Sequence, residues 1–333
     1  MITTLTRVLF AVSALLAVGA VSARAAEPAV KGDGGKVRLL YYPSGTNAFP
    51  AAIIPKLGLD KKYGFEIVPV PTASPATMAT AIQSGAGDIG MFGWNDTARM
   101  RNAGVKIIGV APFLTFGADF IVVLKDSPIK TYADLKGKKV GVPSRVSINT
   151  IAMRAIAEQK YHFDLMKDSS MQDGAPTLLW ALLEQGQLDA SEIFNSVVPS
   201  MMVTGKFRIL TNIKAIVDQL GLPETPYLFY SADETFAKAH PDNVRAFLAA
   251  NAESIEIMRK DDDVWVEPAK PFNMTPEALA SFRAEARADL QTKFKATTEA
   301  DLRKTFDLLL ATAGADAMGM SVLPAGFMTL DYQ

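Results

Sequence analysis

The chain has 333 residues, 49% of them hydrophobic and 21% charged, with a formal net charge of -1 and no cysteine. These are globular values, and the missing cysteines exclude a disulfide framework, a thiol nucleophile, a cysteine metal site and a lipid-modified N-terminal cysteine. A nucleic-acid binder needs a basic patch to neutralise phosphates, which this mixed-sign, near-neutral composition does not offer.

At the amino terminus Arg7 precedes an apolar run from Val8 to Val21, which ends in the small residues Ser22-Ala23-Arg24-Ala25-Ala26. This is the layout of a secretory signal peptide cleaved after Ala25. The run is too short to span a bilayer comfortably. Residues 1–25 are therefore expected to be removed on export, leaving a soluble periplasmic chain of about 308 residues and a charge of about -3, with residues 26–36 as a flexible leader.

Short apolar strands are then expected at Val37–Tyr42, Phe65–Val70, Ile89–Phe92, Ile107–Ala111 and Phe120–Leu124, with helices between them. That alternation is the pattern of an α/β protein with mostly parallel sheets. The helix after the second strand starts at Ser74-Pro75, a capping residue followed by proline, and runs out at Gly85. The segment Ala81-Ile82-Gln83-Ser84-Gly85-Ala86-Gly87-Asp88 is echoed by Leu182-Leu183-Glu184-Gln185-Gly186-Gln187-Leu188-Asp189. Both read as a helix end, a glycine cap, an aspartate and a short strand, as two lobes on one plan would give. Both aspartates precede their strands, so a structural role is expected for them.

A strand at Phe120 opens the second block, and Tyr227-Leu228-Phe229-Tyr230 leads back out of it. From Pro241 the chain is mainly helical, with amphipathic stretches at Asp242–Arg259, Pro276–Phe294 and Glu299–Ala313. Val244, Phe247, Leu248, Ala252 and Ile255 fall at helical spacing and belong to a core.

The Gly-x-x-Asp repeat, the segment Tyr132-Ala-Asp-Leu-Lys-Gly-Lys-Lys-Val-Gly-Val, the Leu57-Gly58 to Gly64-Phe65 region and the stretch beginning His240-Pro-Asp-Asn-Val-Arg resemble the nitrate/sulfonate/taurine family of ABC-transporter periplasmic solute-binding proteins, which also holds thiamine-precursor binders. The resemblance covers about Val37 to Arg259. It implies a type II periplasmic binding protein fold, two α/β lobes joined by two crossovers with the ligand cleft between them. Residues 37–118 and 231–333 would form one lobe and 119–230 the other.

Ligands of open α/β sheets sit beyond the carboxyl ends of strands, near helix amino termini. The candidate ligand-binding residues at such ends are Ser44, Thr46, Asn47, Ser74, Trp94, Asn95, Ser144, Arg145, Ser147, Asn149 and Asn195. Arg145 is placed to meet an anion, and Trp94 to form an apolar wall. Each has a plainer alternative: Ser74 as a helix cap, Thr46 and Asn47 as turn residues, Arg145 as a surface cation.

Catalytic constellations are thin. His162 and His240 are the only histidines and lie in no triad or metal-ligand spacing, and Asp261-Asp262-Asp263 lacks the glycine and terminal glutamate of a calcium loop. No catalytic residue, metal or cofactor is expected. The function expected is solute binding for an ABC importer, with the permease subunits in the inner membrane as partners and a monomeric chain. The ligand is a small organic anion, sulfonate- or taurine-like or an aromatic acid; alternatives are a thiamine-precursor pyrimidine or other heteroaromatic, held near Tyr42, Phe92, Trp94 and Phe116, and a sensor subunit or biosynthetic enzyme on the same fold.

Overall fold

A computed structural model of the chain describes residues 30–333, so the expected signal peptide lies outside the described residues. The chain runs through Lys36–Tyr41 (β1), Ala48–Lys56 (α1), Leu59–Lys62 (α2), Glu66–Pro71 (β2), Pro75–Gln83 (α3), Ile89–Gly93 (β3), Trp94–Asn102 (α4) and Ile107–Thr115 (β4). It crosses to Phe120–Leu124 (β5), Lys139–Val142 (β6), Ile148–Tyr161 (α5), Ser170–Asp173 (β7), Pro176–Glu184 (α6), Ala190–Ile193 (β8), Val198–Val203 (α7), Phe207–Asn212 (β9) and Ile213–Gln219 (α8). It returns through Pro226–Asp233 (β10), Glu234–Ala239 (α9) and Pro241–Lys260 (α10), and ends in Val266–Ala269 (α11), Pro276–Asp289 (α12) and Thr298–Met318 (α13).

Two five-stranded sheets result, in the orders β2-β1-β3-β10-β4 and β7-β6-β8-β5-β9. In each, four strands run in one direction and a single strand, β10 in the first sheet and β5 in the second, runs antiparallel between two of them. Helices cover both faces, as alternation of apolar residues on the strands requires. In β1, Val37 and Leu39 join one core cluster and Leu40 another. In β5, Ile121 and Val123 face one cluster and Val122 the opposite one. This is the two-lobed type II binding-protein fold that the sequence led us to expect.

The repeated Gly-x-x-Asp segment has one structural job in both lobes. Gly85 and Gly186 take φ of 73° and 70°, where glycine avoids a Cβ penalty, and close α3 and α6. Asp88 then exchanges hydrogen bonds with the start of β1: its carboxylate accepts from Arg38 N at 2.8 Å, and its own N–H donates to Arg38 O at 2.9 Å. Asp189 does the same with Lys139 at the start of β6, at 2.8 and 2.9 Å. The aspartates therefore stitch neighbouring parallel strands and take no part in the cleft.

Two stretches depart from the expected organisation. The leader is held from Lys31 onward: Gly32 N donates to Tyr63 O at 2.8 Å, and Asp33 accepts from Asn243 Nδ2 at 2.7 Å and lies 3.0 Å from His240 Nδ1. A Cβ on Gly32 would lie 2.4 Å from Asn243 Oδ1, so the close approach depends on glycine. The C-terminal stretch, expected in the first lobe, divides between the two. Leu302, Phe306 and Leu309 of α13 join Ile151 and Ile156 of α5 in one apolar cluster, burying a hydrophobic stripe on the second lobe. The tail then comes back, with Gly109 N donating to Phe327 O and Thr329 N to Gly109 O, each at 2.9 Å, along the edge of β4.

Candidate functional site

The carboxyl ends of β1 and β3 face those of β6 and β8 across the gap between lobes, and the lobes touch there. Thr46 Oγ1 donates to Asn195 Oδ1 at 2.9 Å, Ser196 Oγ to Ser44 O at 2.8 Å, and Asn95 Nδ2 to Val146 O at 3.0 Å. These bonds enclose a cavity of about 180 Å³ lined from both lobes. Its apolar wall includes Tyr42, Met91, Phe92, Met100, Leu114, Phe194, Tyr227 and Leu228, and its polar lining includes Thr46, Ser144, Ser147, Asn195 and Ser196.

Four charged residues complete the lining: Asp96, Arg99, Asp119 and Glu192. Asp96, in the first turn of α4, accepts from Arg99 Nη2 at 2.7 Å, yet burial pushes its carboxyl up to about 6. Asp119, in the crossover before β5, and Glu192, in β8, are fully buried together. The Asn149 amide bridges them, its Nδ2 donating to Asp119 Oδ2 at 2.8 Å and to Glu192 Oε1 at 3.0 Å. Asp119 Oδ1 also accepts from Asn195 N at 3.2 Å, and Glu192 Oε2 from Thr150 Oγ1 at 3.2 Å. Burial pushes both carboxyls upward, Glu192 to about 7, and the neighbouring Glu192 charge pushes Asp119 further. Burial likewise raises the Tyr42 and Tyr227 hydroxyls, which keep their protons and remain donors.

Among the residues the sequence nominated, Thr46, Ser144, Ser147 and Asn195 line the cavity. Ser44 and Asn95 make the contacts that close its rim, Asn149 holds the acid pair from behind, and Asn47 is buried at the start of α1 with its Oδ1 accepting from Tyr42 N at 3.3 Å. Ser147 also caps α5, its Oγ accepting from Thr150 N at 3.2 Å. Three lie elsewhere. Ser74 caps α3 through Thr77 N and stays outside the lining. Trp94 has no exposed surface and belongs to an apolar core cluster, so its ring walls nothing. Arg145 is half-exposed, donates to Asp173 Oδ1 at 2.5 Å and to the Met171 carbonyl, and does not line the cavity. Its expected service to an anion has no geometric basis here, because a neighbouring surface carboxylate already takes its charge.

The sequence reading missed Asp96, Arg99, Asp119, Glu192, Phe194 and Tyr227. One signal was present: Ser191-Glu192-Ile193-Phe194 carries an acid inside an otherwise uncharged strand, which is costly unless the acid serves something.

The family model described as NMT1/THI5 like matches residues 55–263. The chain belongs to that NMT1/THI5-like family. A putative aliphatic sulfonates-binding protein from Escherichia coli K12 is 26% identical over 208 residues, a match spanning 62% of this chain and 62% of that protein. The alkanesulfonate-binding protein from Xanthomonas axonopodis pv. citri, solved with MOPS bound, superposes with a TM-score of 0.74 at 21% identity, covering 92% of this chain and 99% of its own. The periplasmic nitrate-binding protein of Synechocystis PCC 6803 superposes with a TM-score of 0.59 at 14% identity over 75% of this chain and 69% of its own. The nitrate/sulfonate resemblance read from the sequence is thus borne out. The named relatives of this NMT1/THI5-like chain are binding proteins, and the solved ones share its fold.

Proposed function

We propose that this NMT1/THI5-like chain is the periplasmic solute-binding component of an ABC importer, capturing a small organic molecule between its lobes and presenting it to permease subunits in the inner membrane. The cavity lined from both lobes carries the reading, because a ligand in it touches both and favours closure through those contacts alone. The names of the relatives, all binding proteins and one of them periplasmic, support solute capture. The sulfonate and nitrate in those names are anions of the relatives; in this cavity the lining cation, Arg99, is already held by Asp96 at 2.7 Å, so the charge class of the ligand is a separate question.

A thermal-shift screen of sulfonates, carboxylates, nitrate, amines and pyrimidines tests the proposal. A ligand at a hundredfold excess over its Kd stabilises the native state by about 2.7 kcal/mol, an upward shift of several degrees. The expected result is such a shift with at least one compound, a smaller radius of gyration in its presence, and loss of both in Ala79→Trp, which fills the cavity from α3. No shift with any compound, or a shift that survives Ala79→Trp, overturns the reading.

A further inference from the structure

Asp119 and Glu192 present an unusual charge balance to the cavity. Both are at least 96% buried, and among the described residues neither pairs with a lysine, arginine or histidine; their donors are Asn149, Thr150 and the Asn195 backbone. Buried carboxylates are normally paired with a cation or give up their charge. Each of the four carboxylate oxygens accepts a single protein donor, so lone pairs remain for something else. A second, independent observation sits beside them. Asn195 lines the cavity at 2% exposure, and its Nδ2 has no acceptor. Among the described residues no group of three or more His, Asp or Glu is disposed to hold a metal ion, so the matching charge is sought in an organic ligand.

We infer that the cavity takes a small organic cation, a primary amine or an amidine, whose N–H groups meet Asp119 and Glu192 while an acceptor on the same molecule meets Asn195 Nδ2. This rests on the solute-binding reading and names its ligand class. Hydrocarbon next to the nitrogen packs against Phe194, Tyr227 and Leu228, all in the lining. A ligand that enters as its ammonium or amidinium forms the ion pair directly, with no proton transferred and no other reactant needed. Buried charge-assisted contacts of this kind discriminate by order-of-magnitude factors in affinity.

Calorimetry on the full folded chain with three probes that share a phenyl ring, benzamidine, benzoate and benzenesulfonate, decides the charge class. Benzamidine is expected to bind at least tenfold tighter than either anion. Glu192→Gln and Asp119→Asn are each expected to weaken benzamidine at least tenfold while leaving the anions within threefold or improving them, with circular dichroism confirming that at least one variant is folded. Equal or tighter binding of an anion overturns the inference, as does unchanged benzamidine affinity in a folded variant. If an anion binds in the cavity and Ala79→Trp abolishes it, the importer reading stands and only the cation inference falls. If none of the three binds while the wider screen yields a ligand, the inference falls in the same way. If the wider screen is also blank, both fall.

Discussion

At the scale of single residues, the acid pair makes stability depend on pH in a definite direction. Burial raises the folded-state pKa of Glu192 from 4.5 to about 7, so the folded protein holds a proton over that interval that the unfolded chain has released. Stability contributed by this group is full below pH 4.5, falls as pH rises toward 7, and stays low above it. Glu192→Gln removes the titration. Urea unfolding at pH 5, 6, 7 and 8 is expected to show a flatter profile for the variant, with a gain of about 1–3 kcal/mol over the parent at pH 8. A parent profile that rises between pH 5 and 8 contradicts the assignment. The same scale shows what the sequence could and could not disclose about the site. Thr46, Ser144, Ser147 and Asn195 were legible because position after a strand is a local property. Asp119 and Glu192 were not, since one sits in a crossover and the other within a strand, and only the packing of β5 against β8 brings them together. Arg145 failed for the converse reason: it follows a strand, but Asp173 at the end of β7 is closer than the cleft.

At the scale of elements, local chemistry that closes on itself was readable. Ser74-Pro75 begins α3 as expected, and Ser74 and Thr77 form a reciprocal capping box. Ser74→Ala is expected to cost about 1 kcal/mol with ligand affinity unchanged, because the residue lies outside the cavity. Denaturant unfolding beside calorimetry checks both halves, and a loss of affinity without loss of stability would return Ser74 to the site. The strands β1, β2, β3 and β5 fall within a residue of their expected places, since each is a short segment dominated by apolar side chains. β7 was not read, because Ser170-Met171-Gln172-Asp173 offers one buried side chain on an edge strand. α12 stops at Asp289, short of the expected Phe294. Beyond it Gln291 N donates to Phe113 O at 2.8 Å, and the Phe294 ring meets Phe229 edge-on at 4.8 Å. Those tertiary contacts outweigh the weak local preference to continue the helix.

At the scale of the whole molecule, the two strand crossovers lie against each other, Phe116 N donating to Thr225 O at 2.9 Å. Gly117, between β4 and β5, has φ 110°, and its carbonyl accepts from Lys214 N at 3.3 Å. A Cβ there would fall 2.5 Å from Lys214 Cα at the start of α8, close to the return path to β10. Gly117→Ala is therefore expected to cost about 2 kcal/mol or more, from the positive φ and the backbone overlap together, and to shift the mean separation of the lobes. Chemical unfolding and solution scattering measure the two effects, and an unchanged denaturation midpoint would rule out the contact. The tail that returns to Gly109 has a different consequence. An open sheet edge is a template on which a second chain can pair and grow. In the first sheet, the outer strand at one side, β2, carries Pro69 and Pro71, which have no N–H to offer. At the other side, the groups of Gly109 on β4 are already taken by the chain's own last residues. A polypeptide that folds at high local concentration thus meets its sisters with that sheet blunted at both margins, which favours separate particles over polymer.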